Sequence, residues 1–171
     1  MAKQSRVEHP NRDKAGSKAA RAITVLLMIA TAVLVALITA GGWTVLQGAQ
    51  PLAFAYVLLY AVMAFYVARW NRGVLPLAAG LSILLAVIAA VSAPGWFARA
   101  ETGFQDPAIP PDMLGLLTVI LVPVSLVLVA FALRGFAQKW NVEVEKGHED
   151  HDGYGAYDSG DRGRGTQPAG A

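Results

Sequence analysis

The chain has 171 residues, 55% of them hydrophobic and only 15% charged, with a net charge of +2. A soluble domain of this size carries charge on about a quarter of its residues, so a water-covered globule is excluded, and so small a net charge gives no reason to expect nucleic acid as a partner. Cysteine is absent, which removes disulfides, thiolate nucleophiles and cysteine-ligated metals together.

The first element is a basic N-terminal segment, residues 1–21, with Lys3, Arg6, Arg12, Lys14, Lys18 and Arg21. Its charge reads as an anchor on an anionic membrane face. An apolar run follows over 22–42, "AITVLLMIATAVLVALITAGG". A hydrocarbon core about 30 Å thick needs about 20 such residues in a helix. The run exceeds the roughly 7–15 residues of a cleaved signal sequence, so the expectation is a retained signal anchor. Ala32, Ala36 and Ala40 recur every fourth residue, a spacing that lets membrane helices pack closely.

The second span covers 52–68, "LAFAYVLLYAVMAFYVA". Tyr56, Tyr60 and Met63 share one helical face there, so the two tyrosines are candidate contacts for a partner helix or a lipid tail, with ordinary packing as the plainer alternative. Ala61, Ala64 and Ala68 form another small-residue row. After the short connection "RWNRG" comes the third span, 74–94, with Ser82, Ala86 and Ala90 on one face and Ala79 and Ala93 nearby.

The loop over 95–113, "GWFARAETGFQDPAIPPDM", is acidic and stiffened by prolines, and Asp112 is placed to cap the next helix. Loops of this length are usually functional or disordered, and Trp96, Phe97, Phe104 and Asp106 are its candidate docking residues. The fourth span, 114–133, carries Pro123 in its middle. Proline cannot donate to the carbonyl of Val119 and is expected to kink the helix, with Thr118 and Ser125 near enough to bond the freed group. Beyond the membrane domain, residues 22–140, lies a tail over 141–171 that is rich in glycine and acid and reads as disordered. Its opening "NVEVEKG" alternates as a short strand does. His148 and His151 sit among acids in "HEDHD", which a solvated linker explains as well as a weak metal site does.

All lysines and arginines except Arg99 fall on one side if the chain crosses the membrane four times with both ends cytoplasmic. All four tryptophans then mark helix exits: Trp43 and Trp96 after glycine on the outer side, Trp70 and Trp140 after a basic residue on the inner side. The expected role of Trp43, Trp70, Trp96, Trp140, Arg69 and Lys139 is anchoring at the membrane interface.

Neither an ionisable residue nor a histidine lies within a span, and there is no nucleophile–base pair, phosphate-cradling loop or zinc spacing. The expectation is an all-α integral membrane protein: four transmembrane helices in a small bundle, with disordered cytoplasmic N- and C-terminal tails, in the plasma (inner) membrane. No catalysis, cofactor or metal is expected. The partners are the lipid bilayer and other membrane-protein subunits or further copies of the chain. The leading role is an accessory, assembly or scaffolding subunit of a larger membrane complex. The alternative is a small oligomeric transporter or channel that uses the kink at Pro123.

Overall fold

The computed structural model describes residues 7–8, 10–100, 107–138, 140 and 144–145. A single-turn helix α1 (Pro10–Asp13) leads into four long helices: α2 (Ala15–Gly41), α3 (Gln50–Ala68), α4 (Leu75–Ala98) and α5 (Pro111–Ala137). The four long helices are all apolar enough to cross a membrane. Three of them, α3, α4 and α5, carry proline in their first turn, where its missing N–H costs nothing and its fixed φ suits the helix.

The helices outrun the apolar stretches that announce them. The first begins at Ala15, so Lys18 and Arg21 ride on its first turns. The third passes through Pro94 and takes in Trp96 and Phe97. The last is continuous through Pro123. Asp112 lies in its first turn without making a capping bond, and Pro110 holds the cap position. An acid there still favours the positive end of the helix.

Apart from Gly115, the buried positions in α5 are Leu114, Thr118, Leu121, Ser125, Leu128, Ala132 and Gly135, alternating steps of four and three. In α2 the series is Ser17, Ala20, Thr24, Met28, Thr31, Val35 and Ile38. A seam repeating every seven residues is that of a left-handed bundle with knobs-into-holes packing. Large aliphatic side chains cover the outside, among them Leu26, Leu58 and Val91. Oil-like residues facing out and hydroxyls facing in is the arrangement a lipid solvent favours.

Contacts are densest between α4 and α5, then between α2 and α3 and between α2 and α5, while α3 and α4 touch only sparsely. The buried face of α4 is lined with Ala78, Ala79, Ala86, Ala89 and Ala93, so α5 can approach closely. On α3 the buried face carries Tyr56, Tyr60 and Met63, whose bulk holds α4 away. The small-residue rows divide accordingly. Ser82, Ala86, Ala79 and Ala93 of α4 point inward, whereas Ala36 and Ala40 of α2, Ala61 and Ala68 of α3, and Ala90 of α4 face outward. A row stepping by four residues drifts about 40° around the helix each time and so leaves the seam.

Val7–Glu8 (β1) and Val144–Glu145 (β2) form an antiparallel pair. The strand anticipated in "NVEVEKG" therefore exists, and residues 7–8 and 144–145 lie together at one end of the bundle, the tail end. Residues 1–6, Phe104, Asp106, Lys139 and the tail from 146 onward, with His148 and His151, lie outside the described residues.

Candidate functional site

At the loop end, the weak α3–α4 seam opens into a cavity of about 150 Å³. Leu46, Leu52, Ala53, Ile88 and Leu121 give it an apolar wall, and Thr39, Tyr56, Ser92, Trp96 and Thr118 add polar atoms. Three of the hydroxyls are spoken for. Thr39 donates to the Val35 carbonyl at 2.7 Å, Ser92 to that of Ile88 at 2.7 Å, and Thr118 to that of Leu114 at 2.7 Å. The Tyr56 hydroxyl and the Trp96 indole N–H have no partner among the described residues, so both can serve a guest. Trp96 reaches the cavity because Gly42 has no side chain: a Cβ there would stand 3.2 Å from its Cζ2.

One turn deeper the seam is closed. Tyr60, fully buried, stacks beside Tyr56 at 6.1 Å, and its hydroxyl lies 2.9 Å from Ser82 Oγ. Ser82 donates its own proton to the Ala78 carbonyl at 2.7 Å, so Tyr60 is the donor of the first bond. Met28, Tyr60, Leu121 and Leu128, all at most 3% exposed, fill the middle of the bundle. Ser125 Oγ is buried there with no hydrogen-bond partner. It does not bond the carbonyl freed by Pro123, nor does Thr118, and the proline itself faces outward.

The tail end holds a second cluster. Trp70 and Trp140 meet edge to face, 5.5 Å between centroids. The Arg21 guanidinium lies 4.3 Å from the Trp70 centroid and donates to the Ala68 carbonyl at 2.8 Å. Arg12 approaches the same ring at 6.0 Å and donates to the Trp140 carbonyl at 3.3 Å. Trp70 ends α3 with φ at 66°, the sole positive φ outside glycine among the described residues. Asn71 N–H returns to the Tyr66 carbonyl at 3.0 Å, the helix-ending loop in which glycine normally takes the left-handed place. Asn71 then caps the 3₁₀ turn Arg72–Val74 by accepting from Gly73 N–H at 3.0 Å. The motif "RWNRG" is thus a turn built to swing an indole onto the bundle end.

The residues singled out from sequence separate clearly. Trp43 is exposed and packs its edge on Phe54 at 6.0 Å, and Arg69 lies over Phe65 at 5.3 Å. Trp70 is half-buried, while Trp96 and Trp140 are buried, so these last two rings touch protein where a lipid-facing anchor would be exposed. Trp96 turns inward and lines the α3–α4 cavity, and Tyr60 is closed off inside the bundle. Phe97 is exposed in part and closes on Gly115. Sequence reasoning did not find Gly42, Gly115 or Gly135 as seats for aromatic rings, nor Arg12 and Arg21 as partners of an indole. The seven-residue recurrence of hydroxyls, Ser17, Thr24 and Thr31, is the signal that would have located the inward face.

Chemically, the described residues put hydroxyl and indole donors in the interior and no carboxylate, imidazole, amine or guanidinium, and they hold no group of three metal-ligating side chains. Compared with known proteins, the chain matches no family model, no curated protein and no solved structure.

Proposed function

We propose that this small membrane protein is a non-catalytic accessory, assembly or scaffolding subunit of a larger membrane complex. The observation that carries the reading is the unsealed α3–α4 seam at the loop end, an apolar cleft with two unpartnered donors. An apolar side chain from a neighbouring transmembrane segment fits it, and the outward alanines Ala36 and Ala40 of α2 offer a second close-packing face. The filled bundle centre favours this reading over a solute path through a single copy.

The test is a photo-crosslinking residue at Leu52 or Ser92, beside the seam, against one at Val127 on the outer face of α5, in intact membranes. A discrete membrane-protein adduct from the seam positions alone is the expected result. Adducts to lipid only, or equal adducts from Val127, would overturn the reading.

The sorting of basic residues supports placement in the plasma (inner) membrane with both chain ends cytoplasmic. Accessibility reporters fused at Met1 and Ala171 should label from the cytoplasmic side together.

A further inference from the structure

Between α2 and α3 at the tail end runs a groove of about 300 Å³ lined by Arg21, Ala22, Val25, Leu26, Ile29 and Ala68. Everything in it but Arg21 is aliphatic, over two turns of a face that points away from the bundle. Arg21 stands at the mouth, fixed by the Trp70 ring on one side and the Ala68 carbonyl on the other. That carbonyl takes one of the five N–H donors of the guanidinium. Arg12 converges on the same indole. Neither arginine has a carboxylate partner among the described residues, where the one ion pair joins Lys18 to Asp13 at 3.5 Å. Two cations held on one indole, neither with a carboxylate partner among the described residues, therefore stand at the head of an apolar trough on the outer face.

We propose that this groove binds an anionic phospholipid from the leaflet on the tail side. The phosphate takes the free N–H groups of Arg21, with Arg12 adding charge, and one acyl chain lies along Ala22, Val25 and Ile29. Guanidinium is suited to phosphate because its planar donors meet two oxygens at once. Stacking on Trp70 fixes the donors in place before the lipid arrives, which lowers the ordering cost of binding. Charge complementarity selects the headgroup: a zwitterionic lipid brings its own cation toward two arginines. This site stands apart from the α3–α4 seam and does not depend on the accessory-subunit reading.

The experiment is native mass spectrometry of the full chain in detergent, titrated with phosphatidylglycerol, phosphatidylcholine or inorganic phosphate. Phosphatidylglycerol adducts should form at lower lipid concentration than phosphatidylcholine adducts. Arg21→Gln should weaken phosphatidylglycerol binding about fivefold or more, Arg12→Gln less, and Arg134→Gln, at the same end outside the groove, not at all. Ile29→Trp, an exposed position, keeps both arginines and blocks the trough, so it should also lose the lipid. That variant tests the proposal should Arg21→Gln fail to fold. Equal loss in Arg134→Gln, equal binding of phosphatidylcholine, retention of lipid by Ile29→Trp, or displacement by millimolar inorganic phosphate would each overturn it.

Discussion

Trp70 and Trp140 lie 5.5 Å apart at 85°, so the two tryptophans that follow a basic residue at the ends of α3 and α5 touch each other. An edge-to-face pair contributes about 0.5–1.5 kcal/mol beyond its buried area. Against it stands the left-handed backbone at Trp70, φ 66°, which costs a residue with a Cβ about 1–2 kcal/mol. The edge-to-face term alone does not offset that cost; the Arg21 cation–π contact and the buried area of the ring supply the rest.

Those opposing terms can be separated. Trp70→Gly loses the ring and relieves the backbone, whereas Trp70→Ala loses the ring and keeps the strain. Thermal unfolding in detergent should therefore rank Trp70→Gly above Trp70→Ala by about 1 kcal/mol. Equal stabilities would show that φ carries no cost here.

Gly135 is a seat for Trp140. A Cβ at Gly135 would stand 3.0 Å from Trp140 Cζ2 and 3.2 Å from a Leu75 methyl. Gly135→Ala should destabilise by about 1–3 kcal/mol through overpacking. Gly80, also inside a helix, meets nothing within 4 Å, so Gly80→Ala should be neutral or stabilise by up to about 1 kcal/mol. The contrast between two identical substitutions, read as melting temperatures, checks the packing.

The Tyr60–Ser82–Ala78 chain makes an unequal prediction for its two hydroxyls. Tyr60→Phe removes one donor and leaves Ser82 bonded to Ala78, a loss of about 0.6 kcal/mol, typical of hydrogen bonds inside membrane bundles. Ser82→Ala leaves the buried Tyr60 hydroxyl without an acceptor and should cost about 1–3 kcal/mol. Adding Tyr60→Phe to Ser82→Ala should restore part of the loss. A double variant weaker than both single ones would refute the donor assignment.

Ser125 is the reverse case, a buried hydroxyl whose oxygen has no partner. Ser125→Ala removes an unpaired polar group and should stabilise by about 1 kcal/mol. A marked loss of stability would mean that the hydroxyl has an acceptor in the membrane-embedded protein.

Span number and rough limits could be read from the sequence because the hydrocarbon thickness fixes how many apolar residues a helix needs. Helix ends could not, since Ala15–Arg21 and Gly95–Ala98 continue their helices with residues that are not uniformly apolar. Which face of α2 turns inward was not legible from its alanine row: Ala36 and Ala40 point outward, while the hydroxyls Thr24 and Thr31 point in. In water hydrophobicity marks the buried side, but in lipid both sides are apolar and only the seven-residue rhythm of small and hydroxyl residues distinguishes them. The tail-end cluster was half legible. The repeated basic–Trp–Asn signature was visible, whereas the meeting of its two copies with Arg12 and Arg21 requires the fold.

Arg12 and the Trp140 carbonyl are 128 positions apart, and Val7 pairs with Glu145 across a still longer separation. During synthesis the first partner leaves the ribosome long before the second exists, so this clasp can close only after the final span has been threaded into the bilayer. A chain cut short before α5 would keep Arg21 on the Trp70 ring but lack Trp140, and so leave one side of that indole and the Arg12 guanidinium uncovered.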